Sequence, residues 1–495
     1  MSDFGIALNE DNSHFFATRA GRVLSEADVD AWVDQYAGTQ VRHLMLCPNC
    51  MRTSYASQVW DPIWRGYDPT GPDDQPLLAS LPPGGRQAAR RWIHTAWQLN
   101  EAGIDVYKRW IQRSREQGIS PWISMRMNDV HNADDERCYI HSEFWRANPH
   151  LRRVPYRFTA WTDRAFDYGQ AEVRAYHMAL IRELAERYDF DGLELDWMRF
   201  GFHFKPGSER KGAALLTEFT ADVRTLLDEW QERRGHRIHL GARVPSRPQT
   251  ALGLGMDTIT WARNGLLDML VITPFWATAE TDMPIELWKQ LLEETGVTLA
   301  AGLEVLLRPN PFFELYQTNS LETTRGAASS FFRRGADLLY LFNYMDSQTS
   351  IDDLQHYPIL LREVGNPLTL TGKPRRHVLT YSDTWAPGEP QAIPLPAEIQ
   401  AGGWGAFRLH IGPAPLTGRA HVCLSHSGTV LPQVRVNGVR CDVSYTPMHL
   451  SAPEPADPPQ QFVIPPQVLV DGYNVIEVHA TESLTVQWVE IAIQP

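Results

Sequence analysis

Cysteine is scarce in this chain, with five in 495 residues. So odd and sparse a set does not make a disulfide framework, which excludes a cysteine-stapled secreted fold and leads us to expect a reducing cytoplasm. Long apolar runs are missing too. None reaches the roughly eighteen residues a spanning helix needs, so no membrane partner is expected. Positive charge is in deficit: 46 Lys and Arg stand against 59 Asp and Glu, a formal net charge of −13. A nucleic-acid binder would show a basic face, so that class is excluded as well. The opening "MSDFGIALNEDNSHFF" lacks a basic stretch leading into an apolar one, and no secretory signal is read there. No glycine-rich dinucleotide loop follows the first strand-like run, and no cofactor is implied. Tandem repeats and low-complexity tracts are absent.

What is present is an ordinary globular composition, 43% hydrophobic and 21% charged. The length predicts two domains, one large and one small. Eight short apolar runs occur before residue 366, at 5–11, 41–49, 120–129, 191–197, 238–245, 268–276, 297–305 and 337–346. Each is followed by a loop and a helix-like segment, and several of these segments end on Gly, a common helix stop. "SEAD" at Ser25 has the pattern of an N-terminal cap. Eight strand–helix units predict a (β/α)8 barrel over residues 1–365. Two long segments, 50–85 and 130–167, follow the second and third strands, where loops of such a barrel carry function.

Beyond residue 366 the helical period stops. "GAFRLHIG", "RAHVCLSHSG", "QVRVNGVRCDVSY", "QFVIPP" and "NVIEVHATESLTVQWVEIAIQP" alternate as antiparallel strands do. A small all-β sandwich is expected over 366–495, with 451–461 a proline-rich loop inside it. "VRVNGV" and "LVDGYNVIEV" resemble galactose-binding-like jelly-roll domains.

The fourth run, "FDGLELDWMRF", sets the functional question. Strand alternation puts Glu194 and Asp196 on one face. A buried carboxylate is costly unless it is paired or protonated. In a barrel that face lines the interior, and the last inward residues of each strand floor the site. The strand ends supply Asn9, Glu10 and Asp11; Asn49; Arg126, Asn128, Asp129 and His131; Glu194, Asp196, Arg199 and His203; Arg243 and Arg247; Thr273, Phe275 and Trp276; Glu304 and Arg308; and Asn343, Tyr344 and Asp346. Such convergence of carboxylates is the equipment of glycoside hydrolysis, in which one acid protonates the leaving oxygen and the other attacks or activates water.

"DFDGLELDWMRF" resembles the strand-four signature of TIM-barrel glycoside hydrolases, in particular the glycosyl-hydrolase-like group related to family ten. The likeness rests on Asp191, Gly192, Asp196, Trp197, Arg199 and Phe200. It is similar also to the "DG-x-R-x-D" of the alpha-amylase families, with Glu194 in place of that Arg. Family-eighteen chitinases carry a final Glu where this chain has Met198. The resemblance implies Asp196 as the first catalytic acid; Glu304 is the expected partner, and Glu194 is either catalytic or the holder of an arginine. The competing reading is a buried ion network of Glu194, Asp196, Arg126 and Arg243.

Substrate-binding roles are expected for Arg126, Asn128, His131, Trp197, Arg199, Arg243, Trp276, Asn343 and Tyr344. Trp122, early in its strand, reads as core. The arginines admit an acidic sugar, uronic or sulfated, or else they set the orientation and ionisation of the acids. An oligosaccharide trimmed from one end is the expected substrate. Two rival functions stay open: a carbohydrate-binding barrel without catalysis, and a metal-dependent lyase or deacetylase using Cys47 and Cys50 of "CPNC", with Cys138, His131 or His141 completing a site.

Overall fold

The computed structural model describes residues 4–312, 314–347, 349–450 and 458–495. Each of the eight apolar runs forms one strand of a barrel: β1 Ile6–Glu10, β2 Val41–Leu46, β3 Ser120–Arg126, β4 Gly192–Asp196, β5 His239–Pro245, β6 Met269–Thr273 and β7 Thr298–Leu303. A short ribbon then pairs β8 Leu306–Leu307 with β9 Gln317–Thr318, and β10 Leu338–Leu341 completes the ring. The barrel strands close in the order β1-β10-β7-β6-β5-β4-β3-β2, a parallel (β/α)8 TIM barrel.

Local chemistry explains the helix boundaries. Ser25 and Asp28 make a reciprocal capping box on the helix Glu26–Asp34. The helix Glu209–Arg234 stops at Gly235, whose φ of 72° suits a residue without Cβ. The long helical segment before β3 is two helices, Pro83–Glu101 and Val106–Glu116. Gly103 turns the chain at φ 73°, and the Asp105 side chain restarts it by accepting from Lys108 N–H.

One end of the interior is filled by Trp122. Its indole stacks on His239 with centroids 5.9 Å apart and meets His43 edge-on at 5.8 Å. A Cβ on Gly192 would lie 2.3 Å from that ring, and one on Gly241 3.0 Å away. The glycine of the "DG" signature is therefore the space Trp122 occupies. Asp191, beside it, faces outward and accepts from Arg115 at 3.0 Å.

Among the described residues the C-terminal part is all antiparallel. Its strands are β11 Arg375–Val378, β12 Ala397–Ile399, β13 Trp404–His410, β14 Arg419–His426, β15 Gln433–Val436, β16 Val439–Val443, β17 Gln460–Ile464, β18 Tyr473–His479 and β19 Leu484–Gln494. They run in the order β11-β19-β14-β17-β16-β15-β18-β13, with β12 on β19. Alternate residues such as Phe407, Leu409, Val422, Leu424, Ile476, Val478 and Val486 form its core. Asn437 and Gly438, both at positive φ, make the tight turn between β15 and β16. Residues 451–457 of the expected proline-rich loop lie outside the described residues.

The chain forms two compact units. One holds Ala7–Val271 with Leu292–Thr298; the other holds Ile272–Leu291, Leu299–Pro495 and the described N-terminal residues through Ile6. Within the second, the helix Leu321–Arg333 is buried along nearly its whole length and packs on β11. A Cβ on Gly326 would fall 1.9 Å from the Arg376 carbonyl oxygen, so only glycine permits that approach. Among the described residues no helix is long and apolar enough to cross a membrane.

Candidate functional site

In the first unit the inner wall is built by strand register. Arg126, Asp196 and Arg243 are direct neighbours across β3, β4 and β5, one step beyond the row Ser124, Glu194 and Gly241. Glu194 Oε1 accepts from the Ser124 hydroxyl at 2.6 Å, and Asn9 Nδ2 donates to that same hydroxyl oxygen at 3.4 Å. Glu194 is fully buried. Asp196 stands in the outer row. Its Oδ1 accepts from Arg243 Nη1 at 3.0 Å and from the backbone N–H groups of Met198 and Arg199 at 3.1 and 2.9 Å. Its Oδ2 accepts nothing from the described residues. The expected ion network thus exists in part: Arg243 pairs with Asp196, but Arg126 turns elsewhere.

Arg126 pairs with Asp11, at the end of β1, and with Asp129 at 3.0 Å. Burial pushes the Asp11 carboxyl up; the Arg126 guanidinium, with the Ser13 hydroxyl and Arg199, outweighs it and holds the group well below the usual carboxylate range. Asp129 is likewise raised by burial and pulled well down by His131 and Arg126. His131 completes the chain. Its Nδ1 lies 2.8 Å from Asp129 Oδ1 and its Nε2 2.9 Å from Arg199 Nη2. Arginine can only donate, so Nε2 accepts and the ring proton sits on Nδ1, directed at Asp129.

Three expected binding residues are corrected. Asn128 is a pin for loops: its amide donates to the carbonyls of Phe166 and Phe202, both at 3.0 Å, and its oxygen accepts from Phe166 N–H at 2.9 Å. Both of its N–H donors are thereby spent inside the loops. Trp197 has no exposed face. It packs among Tyr168, His203, Phe219 and Trp261, because it follows the inward Asp196 and so takes the outward side, toward the helices. Tyr344, also buried, donates its hydroxyl to the Glu304 carbonyl at 3.3 Å, so it holds the backbone of the acid. His203 serves the same loops as Asn128. Its Nε2–H donates to the Trp197 carbonyl at 2.9 Å, and burial pushes its ring down to about 3, keeping it neutral.

In the second unit Glu304 directly follows β7 and is buried. It accepts from Asn343 Nδ2 at 3.1 and 3.3 Å and from Val305 N–H at 3.1 Å. Asn343 adopts φ 62°, a left-handed conformation asparagine tolerates, and its amide meets the acid from there. Trp276, past the end of β6, is 44% exposed. Its loop is fixed by a residue sequence reading missed. Asp383 accepts the consecutive backbone N–H groups of Phe275, Trp276 and Ala277 at 2.8, 2.8 and 2.7 Å. Nothing local in the sequence signals it, since more than a hundred residues separate the partners. Arg308 lies over Trp276 and Tyr316, its guanidinium carbon 5.9 and 5.8 Å from the ring centroids.

The "CPNC" thiols offer little to a metal. Cys47 and Cys50 are buried and directed at the carbonyls of Asn49 and Arg52. Burial pushes both up to about 12, which opposes the thiolate a metal or redox site needs. Among the described residues no group of three His, Cys, Asp or Glu side chains is placed to hold an ion.

No protein-family model matches the sequence. No curated protein matches it either. Among solved structures, it is similar to alpha-L-fucosidase isoenzyme 1 from Paenibacillus thiaminolyticus, at 13% identity over 97% of each chain with a TM-score of 0.36. It is similar to a family GH18 chitinase from Chromobacterium violaceum at 9% identity, over 99% of this chain and 88% of that one, TM-score 0.41. A cycloisomaltooligosaccharide glucanotransferase from Paenibacillus sp. matches 99% of this chain at 8% identity and TM-score 0.34; this chain spans 57% of its length.

Proposed function

We propose that this protein is a TIM-barrel glycoside hydrolase, of the group related to family ten, that removes sugars from one end of oligosaccharides. Residues 1–365 would form its catalytic barrel and 366–495 a C-terminal galactose-binding-like sandwich. Asp196 and Glu304 are its catalytic carboxylates, with Glu194, in the row beneath Asp196, a third catalytic candidate or the support of that row. The observation that carries the reading is the bonding of Asp196. A buried acid serving only as a strut spends both oxygens on partners. Here Oδ1 takes three donors, while Oδ2 takes none from the described residues. An acid so gripped is oriented and still has an oxygen for a substrate. One carboxyl then protonates the glycosidic oxygen, and the other attacks the anomeric carbon or activates water.

End-wise action is proposed from the 130–167 segment, whose internal cross-links support its serving as a wall on one side of the pocket. Arg152 bridges to Phe166, and Asp163 accepts from Thr159 N–H and from the Arg157 guanidinium, each at about 3 Å. Acidic sugars belong to the proposal through the arginines at the strand ends. The test is a panel of neutral and acidic glycosides, with products followed in time. We expect single sugars from the first time point and a loss of about 10²–10⁴-fold in turnover for Asp196→Asn and for Glu304→Gln. Full turnover in both variants removes the assignment. Random internal cleavage removes the end-wise reading, and no cleavage of any glycoside removes the enzyme.

A further inference from the structure

The arginines that suggested an acidic substrate are not equivalent. Arg126 is bound to Asp11 and Asp129, and Arg243 to Asp196. In the second unit Arg334 is paired with Glu286 and Asp282, Arg376 with Glu490, and Arg325 with Glu363. A cation already matched has little to gain from a ligand's charge. Arg308 is different. Among the described residues it has no carboxylate partner, and its buried Nε has no hydrogen-bond acceptor.

Its main chain is nonetheless firmly held. Arg308 N–H donates to Thr278 Oγ1 at 2.8 Å, and the Thr278 hydroxyl donates to the Arg308 carbonyl at 3.0 Å. The guanidinium lies over Trp276 and Tyr316, aromatic faces that favour a cation without neutralising it. The half-exposed Trp276 is in turn fixed by Asp383. Four residues beyond Glu304 there is therefore a pre-placed, unmatched guanidinium beside a flat indole that solvent reaches.

We propose that Trp276, Arg308 and Tyr316 form a subsite for an anionic sugar, with the ring stacked on Trp276 and its carboxylate or sulfate bound by Arg308. Arginine's planar fork suits either oxyanion in a two-pronged contact. Asp383 is a positioning residue for this subsite, holding the stacking face in place. The inference rests on the glycosidase reading for its choice of a sugar, but binding tests it without turnover.

The experiment is calorimetric titration of the full chain carrying Asp196→Asn with glucose, glucuronate and glucose 6-sulfate, repeated after adding Arg308→Gln, Trp276→Ala or Asp383→Asn. We expect at least one acidic sugar to bind roughly tenfold more tightly than glucose. Arg308→Gln should close that gap, and added salt should narrow it. Preference for glucuronate alone identifies a carboxylate subsite; preference for the sulfate alone, or for both, identifies a wider oxyanion subsite. Asp383→Asn and Trp276→Ala should weaken every sugar alike, with melting temperatures near that of the parent. Equal binding of all three sugars, or a preference that survives Arg308→Gln, overturns the proposal. Acid-selective binding without any hydrolysis in the unmodified chain leaves the subsite standing and removes only the enzyme.

Discussion

Arg126 and Arg308 both lie close to the end of a barrel strand, and the structure treats them in opposite ways. Arg126 is clasped by Asp11 and Asp129, with His131 and Arg199 next in the chain of contacts. Arg308 meets two aromatic rings and no acid of the described residues. The first arrangement matches charge internally and so fixes geometry. The second leaves a charge for something else to match. The difference teaches that a count of arginines near a site says little about its ligand; their partners decide.

Substitutions can break or sharpen that contrast. Arg126→Met leaves the buried Asp129 and the partly buried Asp11 without their cation and should cost about 3–5 kcal/mol in urea unfolding. Trp197→Ala, which hollows out an aromatic cluster, should also cost about 3–5 kcal/mol and leave KM for any glycoside near the parent value. Trp276→Ala should do the reverse, raising KM with little change in stability. Gly192→Ala pushes a methyl into the Trp122 ring and should cost about 1–3 kcal/mol, recovered in part when Trp122 is made smaller.

Acid titration separates the two regions further. The Asp11 carboxyl is held below its ordinary value, so its stabilising contribution is present above about pH 4 and drains away as pH falls. Asp11→Asn should flatten that acid limb of the unfolding free energy. Arg308→Met, the smallest effect, should change stability by less than about 0.5 kcal/mol. A loss as large as that of Arg126→Met would show that Arg308 is a structural cation after all.

Much of the barrel was legible because its signals are local. Alternation marked all eight strands, Ser25 announced its cap and Gly235 its stop. Site chemistry was legible only as far as strand parity reaches. Glu194 and Asp196 share a face by period alone, and the same alternation sends Trp197 outward with Leu193 and Leu195, so its expected binding role ran against the parity that placed the acids. Asn128 looked like a ligand group because nothing in sequence reveals that the Phe166 and Phe202 backbones consume its amide. The fate of each arginine was hidden for the same reason: Asp11 and Arg126 meet across more than a hundred residues of chain.

The contact between Gly326 and the Arg376 carbonyl bears on how this protein can be handled. A clone stopping at residue 365 would strip the strand from a helix whose flank has no side chain there, baring a helix face that is otherwise buried. Insolubility of such a fragment would say nothing about its chemistry. The sandwich is better regarded as a chassis for the later barrel strands than as a detachable accessory.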